Sequence, residues 1–315
     1  VKKLGFSILE LLLSISLLAV LMLIIGQILS NSTRAWERGR SKITRFQQAR
    51  QAFETVQQRL ASATLAPYLD YEYNSSAPSI PVSYGRRSDL VFRSGEARSL
   101  IGQSGSGQLS GHALIFTTAA GLDQGPSRER FRSLLNLCGF YVSHGPPANV
   151  PGRGGEFGLT TTPQFGLFEF CQPTTYSPPT NAGGLIAAAP IPAVAPRLLA
   201  ENIFLLLILP LAPIEFGAFT YSPKTPSLRY DSSEHHHRLP LSVRVIMIAM
   251  DEASAVRVRD MGISSKLVPP YLFKSVTTSI EIDNDLHALE DHLNSDLASS
   301  ISYQIFDTTL QLPTT

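Results

Sequence analysis

Between Phe6 and Leu29 the chain runs almost without polar side chains, FSILELLLSISLLAVLMLIIGQIL. The interruptions are Ser7, Glu10, Ser14, Ser16, Gly26 and Gln27. At a rise of 1.5 Å per residue a helix of this length extends about 36 Å, which crosses a hydrocarbon core of roughly 30 Å. A helix that is apolar all round belongs in lipid or at the centre of a large protein. A buried soluble helix of this length and uniformity is unusual. The segment therefore predicts membrane insertion, and everything after it must fold as a body joined to a span.

Three kinds of segment share this apolarity. A secretory signal is cut after the apolar run, at small residues such as Ser30 and Ser32. A signal anchor is left uncut. A prepilin-type leader is cut before the run. The distinguishing residue is Glu10, because an ionised carboxylate in an apolar helix costs a few kcal/mol on insertion scales. Neither of the first two kinds of segment has a use for it. A carboxylate five residues into a newly exposed N-terminus can pair with an α-ammonium, its own or a neighbour's.

The run Lys2-Lys3-Leu4-Gly5-Phe6-Ser7-Ile8-Leu9-Glu10-Leu11 resembles the class III signal of type IV pilins and of type II secretion pseudopilins. The resemblance implies that a prepilin peptidase cuts between Gly5 and Phe6 and methylates the new amine of Phe6. Glu10 then becomes the fifth mature residue, where that family carries its glutamate. Lys2 and Lys3 favour a cytoplasmic N-terminus. Arg34, Arg38, Arg40, Lys42 and Arg45, beyond the span, weigh the other way. Long following domains translocate largely regardless of such charge, so the processing motif sets the expected orientation.

Composition agrees with an extracytoplasmic body. Lys plus Arg is 26 and Asp plus Glu is 25, a net charge of +1 that excludes a dedicated nucleic-acid binder with a strongly basic face. Hydrophobic residues reach 43%, enough for a core, while charged residues are only 16%. Gly and Pro, 22 of each, imply long loops.

After the span, residues 30–66 have helix-forming composition. Trp36, Ile43, Phe46, Phe53, Val56, Leu60 and Ala63 fall on one stripe at helical spacing. One continuous helix to Ala66, just before Pro67, is expected. The expected organisation is a leader (1–5), the transmembrane half of the helix (6–29), its amphipathic half (30–66) and a periplasmic globular domain (67–315). In that domain residues 112–118 (HALIFTT), 139–143 (GFYVS), 165–171 (FGLFEFC), 203–209 (IFLLLIL), 242–250 (SVRVIMIAM) and 301–306 read as strands. Residues 143–162 and 172–196 read as long irregular loops. Leu286, Leu289, Leu293 and Leu297 mark a short amphipathic helix. Helix first and strands after predict an α+β fold, with an antiparallel sheet covering the helix stripe.

The resemblance extends thinly past the leader. Residues 197–203 (RLLAENI) and 239–245 (LPLSVRV) are similar to the C-terminal half of J-type minor pseudopilins. Residues 134–142, 165–174, 200–210 and 243–257 look like the protein C family of a verrucomicrobial cassette of prepilin-like proteins. This implies a pilin-like fold and a structural role.

Cys138 and Cys171 lie on or beside two predicted strands. In an oxidising periplasm they can pair, adding about 3–4 kcal/mol by loop entropy, or they remain two buried thiols. Glu234, His235, His236 and His237 suggest metal on paper, but neighbours on an extended chain point to opposite sides. A solvated loop is the expectation there. Residues 281–285 (EIDND) lack the glycine and spacing of a calcium loop and read as a solvated helix start. Residues 102–107 (GQSGSG) fail both the nucleophile-elbow and dinucleotide patterns and read as a flexible loop. No catalytic constellation and no cofactor are expected.

The resulting expectation is a prepilin-like minor subunit, single-pass in the inner membrane and then assembled into a type II secretion or type IV pilus-like filament or its tip. Its partners are the prepilin peptidase, other pilin-like subunits and the membrane, with no nucleic acid. The competing expectations are a periplasmic binding or adhesive protein on an uncleaved signal anchor, and a secreted enzyme cut after Ser32.

Overall fold

The computed structural model describes residues 8–74, 77–101, 108–119, 135–145, 165–173, 196–211, 229–273, 279–295 and 301–313. The chain forms two compact units, Val1–Gln47 and Gln48–Thr315. The first holds α1 (Ile8–Arg45), a helix of 38 residues with no proline.

All but the first residue of α2 (Gln47–Ala61) belongs to the second unit, and its Ala49, Ala52, Phe53, Val56 and Leu60 are buried. The expected continuous helix to Ala66 is therefore corrected at two places. The helix is interrupted at Phe46, and α2 stops at Ala61. The stop has a local cause. Ser62 Oγ and Ser62 N both donate to Arg59 O, and Ala63 N donates to Leu60 O, tightening the last turn. Thr64 N then donates to Thr117 O, and Ala63 bridges Thr118, so the chain has left the helix for a strand edge.

Eleven strands are described, and every pairing is antiparallel. They are β1 (Tyr68–Asn74), β2 (Ala77–Arg87), β3 (Phe92–Glu96), β4 (Gln108–Thr118), β5 (Asn136–His144), β6 (Phe165–Pro173), β7 (Arg197–Glu201), β8 (Ile203–Leu211), β9 (Tyr230–Asp231), β10 (Ser242–Met250) and β11 (Tyr303–Gln311). Three further helices are α3 (Ala97–Ile101), α4 (Glu252–Asp260) and α5 (Ser279–Asn294). The strands form a ribbon β1-β2, a sheet β11-β10-β8 and a six-stranded sheet β7-β6-β5-β4-β3-β9.

Period-two alternation gives the six-stranded sheet two buried faces. Ala113, Ile115, Tyr141, Phe168 and Phe170 pack under Ala97 and Ile101 of α3. On the other face Leu114, Phe116, Phe140, Val142 and Leu167 are fully buried. There Arg59 of α2 reaches Glu169, and β8 crosses β4, β5 and β6. The second sheet is centred on β10, buried from Val245 to Met250. Phe53 of α2 packs on Phe306 of β11 at 5.6 Å between ring centroids. Ile282, Leu286, Leu289 and Leu293 bury the apolar face of α5, and Asp283 ties that helix to Arg244 of β10 at 2.8 Å. The architecture is α+β, an N-terminal apolar helix followed by antiparallel sheets packed with helices.

Candidate functional site

Leu11–Leu29 of α1 is long and apolar enough to cross a membrane. Its large side chains, from Leu11 to Leu29, are exposed around the whole helix. Thirteen of them are Leu, Ile or Val. On a biological insertion scale of about −0.3 to −0.6 kcal/mol each they favour lipid by roughly 4–8 kcal/mol. That exceeds the roughly 2.5–3.5 kcal/mol charged against one central acidic residue, so a charged Glu10 does not forbid insertion. The polar interruptions are equally tolerable. Ser16 Oγ donates to Leu13 O at 2.8 Å, which satisfies the hydroxyl inside the helix. Gly26 has nothing within 4 Å of a notional Cβ. Of the expected processing residues, Gly5 and Phe6 lie outside the described residues. The backbone of Glu10 lies in α1, and its side chain is outside the description.

Cys138 and Cys171 form a disulfide. They are register partners in the β5–β6 ladder, with Cα atoms 4.1 Å apart, the spacing of the narrow, non-hydrogen-bonded pair. Of the two readings left open by the sequence, the paired one is the structural one. A disulfide between buried strands fits an extracytoplasmic domain.

Two residues beyond Cys171 along the same face, towards the N-terminus of β6, lies Glu169, only 4% exposed. Arg197 Nη2 donates to its Oε2 at 2.6 Å, and Arg59 Nε stands 3.5 Å from Oε1. The second contact is Coulombic, since Oε1 accepts no hydrogen bond. This triad joins α2, β6 and β7. Its one signal in the sequence is that Glu169 interrupts the run FGLFEFC.

A second polar seam joins the two larger sheets. Residues 111–113 of β4 break register with β5, a bulge. Ser110 Oγ donates to Phe204 O at 2.9 Å. Nδ1 of His112 lies 3.0 Å from Ile208 O and 3.2 Å from Ile208 N. One ring nitrogen serves one of these at a time: it donates to the carbonyl in one tautomer and accepts from the Ile208 N–H in the other. Burial holds the His112 pKa below the ordinary histidine value, against the opposing pull of the Ile208 carbonyl and the Glu96 charge. Between the two, Gly111 lies against the Leu206 backbone at φ +67°. β8 is an edge strand of its sheet, and these three residues cover its outward backbone groups. A glycine at the head of an apolar strand was the available signal for a close backbone approach.

The histidine run does not converge. His235 stacks on Tyr230 at 4.4 Å, His236 and His237 each take a left-handed backbone, and Glu234 pairs with Arg229 at 2.7 Å. The loop is anchored rather than simply solvated: Tyr230 Oη donates to Arg238 O at 2.8 Å, and His237 N to Ser232 O at 2.7 Å. The acidic stretch also departs from a solvated start. Asp283 binds Arg244, which Asp307 of β11 also engages, and Asp285 accepts from Phe273 N at 2.9 Å. Among the described residues no group of three or more His, Cys, Asp or Glu is placed to hold a metal ion. Residues 102–107 and nearly all of both long predicted loops lie outside the described residues.

Comparison with protein-family models, with curated proteins and with solved structures found no match to this chain.

Proposed function

We propose that the chain is a pilin-like structural subunit, resembling the J-type minor pseudopilins, processed by a prepilin peptidase and assembled into a type II secretion or type IV pilus-like filament or its tip. The observation that carries this reading is the join between the Lys-Lys-Leu-Gly-Phe…Glu motif and a helix apolar on every face. The disulfide-closed α+β body that follows supports a periplasmic placement for the second unit, with the N-terminus in the cytoplasm. In a bundle of such helices Glu10 and the Phe6 ammonium neutralise each other and fix the register between subunits, a use of buried charge attested in other helical assemblies.

The test is N-terminal peptide mass spectrometry after co-expression with a prepilin peptidase. The expected mature chain begins at N-methylated Phe6. An intact leader transfers the protein to the class of anchored periplasmic binding or adhesive proteins, and a start between Asn31 and Thr33 makes it a secreted one. Glu10→Ala is expected to leave cleavage intact and to abolish co-isolation with sister subunits.

A further inference from the structure

The ribbon β1–β2 sorts its side chains by kind. Its register pairs Leu69 with Arg86, Tyr71 with Tyr84 and Tyr73 with Pro81, so these residues share one face. Tyr68 with Arg87, Asp70 with Gly85 and Glu72 with Ser83 share the other. That second face is polar and internally paired. Arg87 Nε stands 3.5 Å from Asp70 Oδ2, Ser83 Oγ donates to Glu72 Oε2 at 2.6 Å, and Tyr68 Oη donates to Asp89 Oδ1 at 3.2 Å. The first face is aromatic. The Tyr71 and Tyr84 rings lie 4.7 Å apart, and those of Tyr71 and Tyr73 lie 6.3 Å apart. Leu69 is 73% exposed and Tyr84 68%. Such a face calls for a cover, and its size and charge choose among covers. Two strands of seven residues present a face of roughly 24 by 10 Å, about 240 Å². A stable protein interface buries about 800 Å² on each partner, so the ribbon alone is too small to hold a second copy. Both acids of the ribbon, Asp70 and Glu72, sit on the opposite face. Arg86, half-buried opposite Leu69, is the one charged residue whose register puts it with the tyrosines. An aromatic face with a cation and no carboxylate suits the phosphate-rich boundary of a bilayer, where tyrosine is itself enriched.

We propose that the aromatic face of the ribbon docks on the surface of the bilayer that α1 spans, its tyrosine hydroxyls among the phospholipid headgroups and Arg86 beside their phosphates. The chain supplies this partner itself. With Leu11–Leu29 in the membrane, the ribbon meets lipid as a tethered group, at an effective concentration that a free body lacks. A contact too weak to hold a detached body is then enough to orient a tethered one. The proposal rests on the anchoring of α1 and is independent of filament assembly.

The test uses the full chain in vesicles of phosphatidylcholine and phosphatidylglycerol, made with or without bromine on the upper acyl carbons of both leaflets. Trp36 is the single tryptophan of the chain, and Trp36→Phe clears the background for one introduced indole. Alkaline extraction reads the anchor, and the chain is expected to stay in the vesicle pellet. With Tyr84→Trp, an indole at headgroup level is expected to lose about half its emission to brominated lipid. With Tyr68→Trp, on the polar face, emission is expected to be unchanged by bromine. Leu69→Asp, at an exposed position, is expected to restore the emission of the Tyr84→Trp chain and to leave its melting temperature unchanged. Extraction of the chain into the supernatant fails the anchoring reading, and the tethered contact with it. A pelleted chain whose Tyr84→Trp emission is indifferent to bromine overturns the docking alone. If that emission instead follows the protein-to-lipid ratio, the face belongs to a second copy. Equal quenching from the two positions overturns the choice of face, and quenching that survives Leu69→Asp overturns the apolar contact.

Discussion

Three histidines make the fold sensitive to acid in a window that carboxylates do not share. His112 and His144 have pKa values held below the ordinary 6.5 by burial, and His237 is lowered by burial and then by the Arg87 charge. The unfolded chain takes up these protons as pH falls through about 6.5, and the folded chain does so only at lower pH. Below about 6.5 the unfolded state therefore binds more protons, so stability is complete above that value and declines as pH falls. Denaturant titrations at about pH 7.5, 6.5 and 5.5 should give successively lower unfolding free energies. His112→Asn should flatten that decline. A flat profile in the unaltered protein would mean that the rings accept protons in the native state. At Gly111 the constraint is steric. A Cβ would collide with Leu206 O at a φ of +67° that side chains rarely adopt, whereas Gly262, at φ +65°, faces open space. Gly262→Ala should cost about 1 kcal/mol, and Gly111→Ala about 3 kcal/mol or more, since it adds a backbone clash to the same conformational strain. Thermal melts of the two variants side by side separate clash from strain.

At the level of elements, most strands legible beforehand were those buried on both faces, while β11, half-buried to exposed along its length, was read as 301–306 and runs Tyr303–Gln311. Residues 242–250 coincide with β10, and 203–209 lie within β8, because runs such as IFLLLIL have no other home in a short element. Leu286, Leu289 and Leu293 marked α5 by their helical spacing, while Leu297 lies outside the described residues. The candidate partnership of Cys138 with Cys171 was legible from their places on or beside two predicted strands. The ribbon β1-β2 was not. Its sequence alternates, YLDYEYN against a strand carrying Pro78 and Pro81, which reads as broken unless the strand has an open edge. β3, β7, β9, α3 and α4 are short or polar and owe their form to neighbours. The Gly111–His112 seam was hidden because its partner, the β8 backbone, lies almost a hundred residues away. The ribbon also has a dynamic consequence. Among the described residues it pairs only within itself as a sheet, and Leu69, Tyr73, Ile80, Val82 and Tyr84 are all more than half exposed. A two-stranded ribbon without a packed face is marginal in water. Hydrogen exchange should find the amides of Tyr68–Asn74 protected at least a hundredfold less than those of β10, whose neighbours bond it on both sides. Equal protection would require that something else cover the ribbon.

On the scale of the molecule, the chain joins a helix apolar on every face to a body with its own core. Unit Val1–Gln47 contains the helix whose apolar surface calls for lipid, and unit Gln48–Thr315 contains all the described strands and their core. The second unit buries Leu60, Phe116, Phe140, Phe204 and Tyr230 almost completely, and it is closed by a disulfide across 33 residues. A body with its own core and its own covalent closure should fold without the span. A chain beginning at Gln48, exported to an oxidising compartment, should therefore be recovered in the soluble fraction and unfold in one cooperative transition. The full chain should sediment with membranes. Reduction acts on the same body. Closing a loop of that size limits the unfolded chain by about 3–4 kcal/mol in the chain-entropy model, so Cys138→Ala with Cys171→Ala should lower the melting temperature by roughly 6–15 °C in a domain of this size. The two outcomes are linked. If the truncated chain aggregates even with the disulfide formed, the core described here is insufficient, and the span or its partners must complete it. If it folds and the double alanine variant melts within a degree or two of it, the sheets hold without the crosslink, and the disulfide's contribution lies in compartment rather than stability.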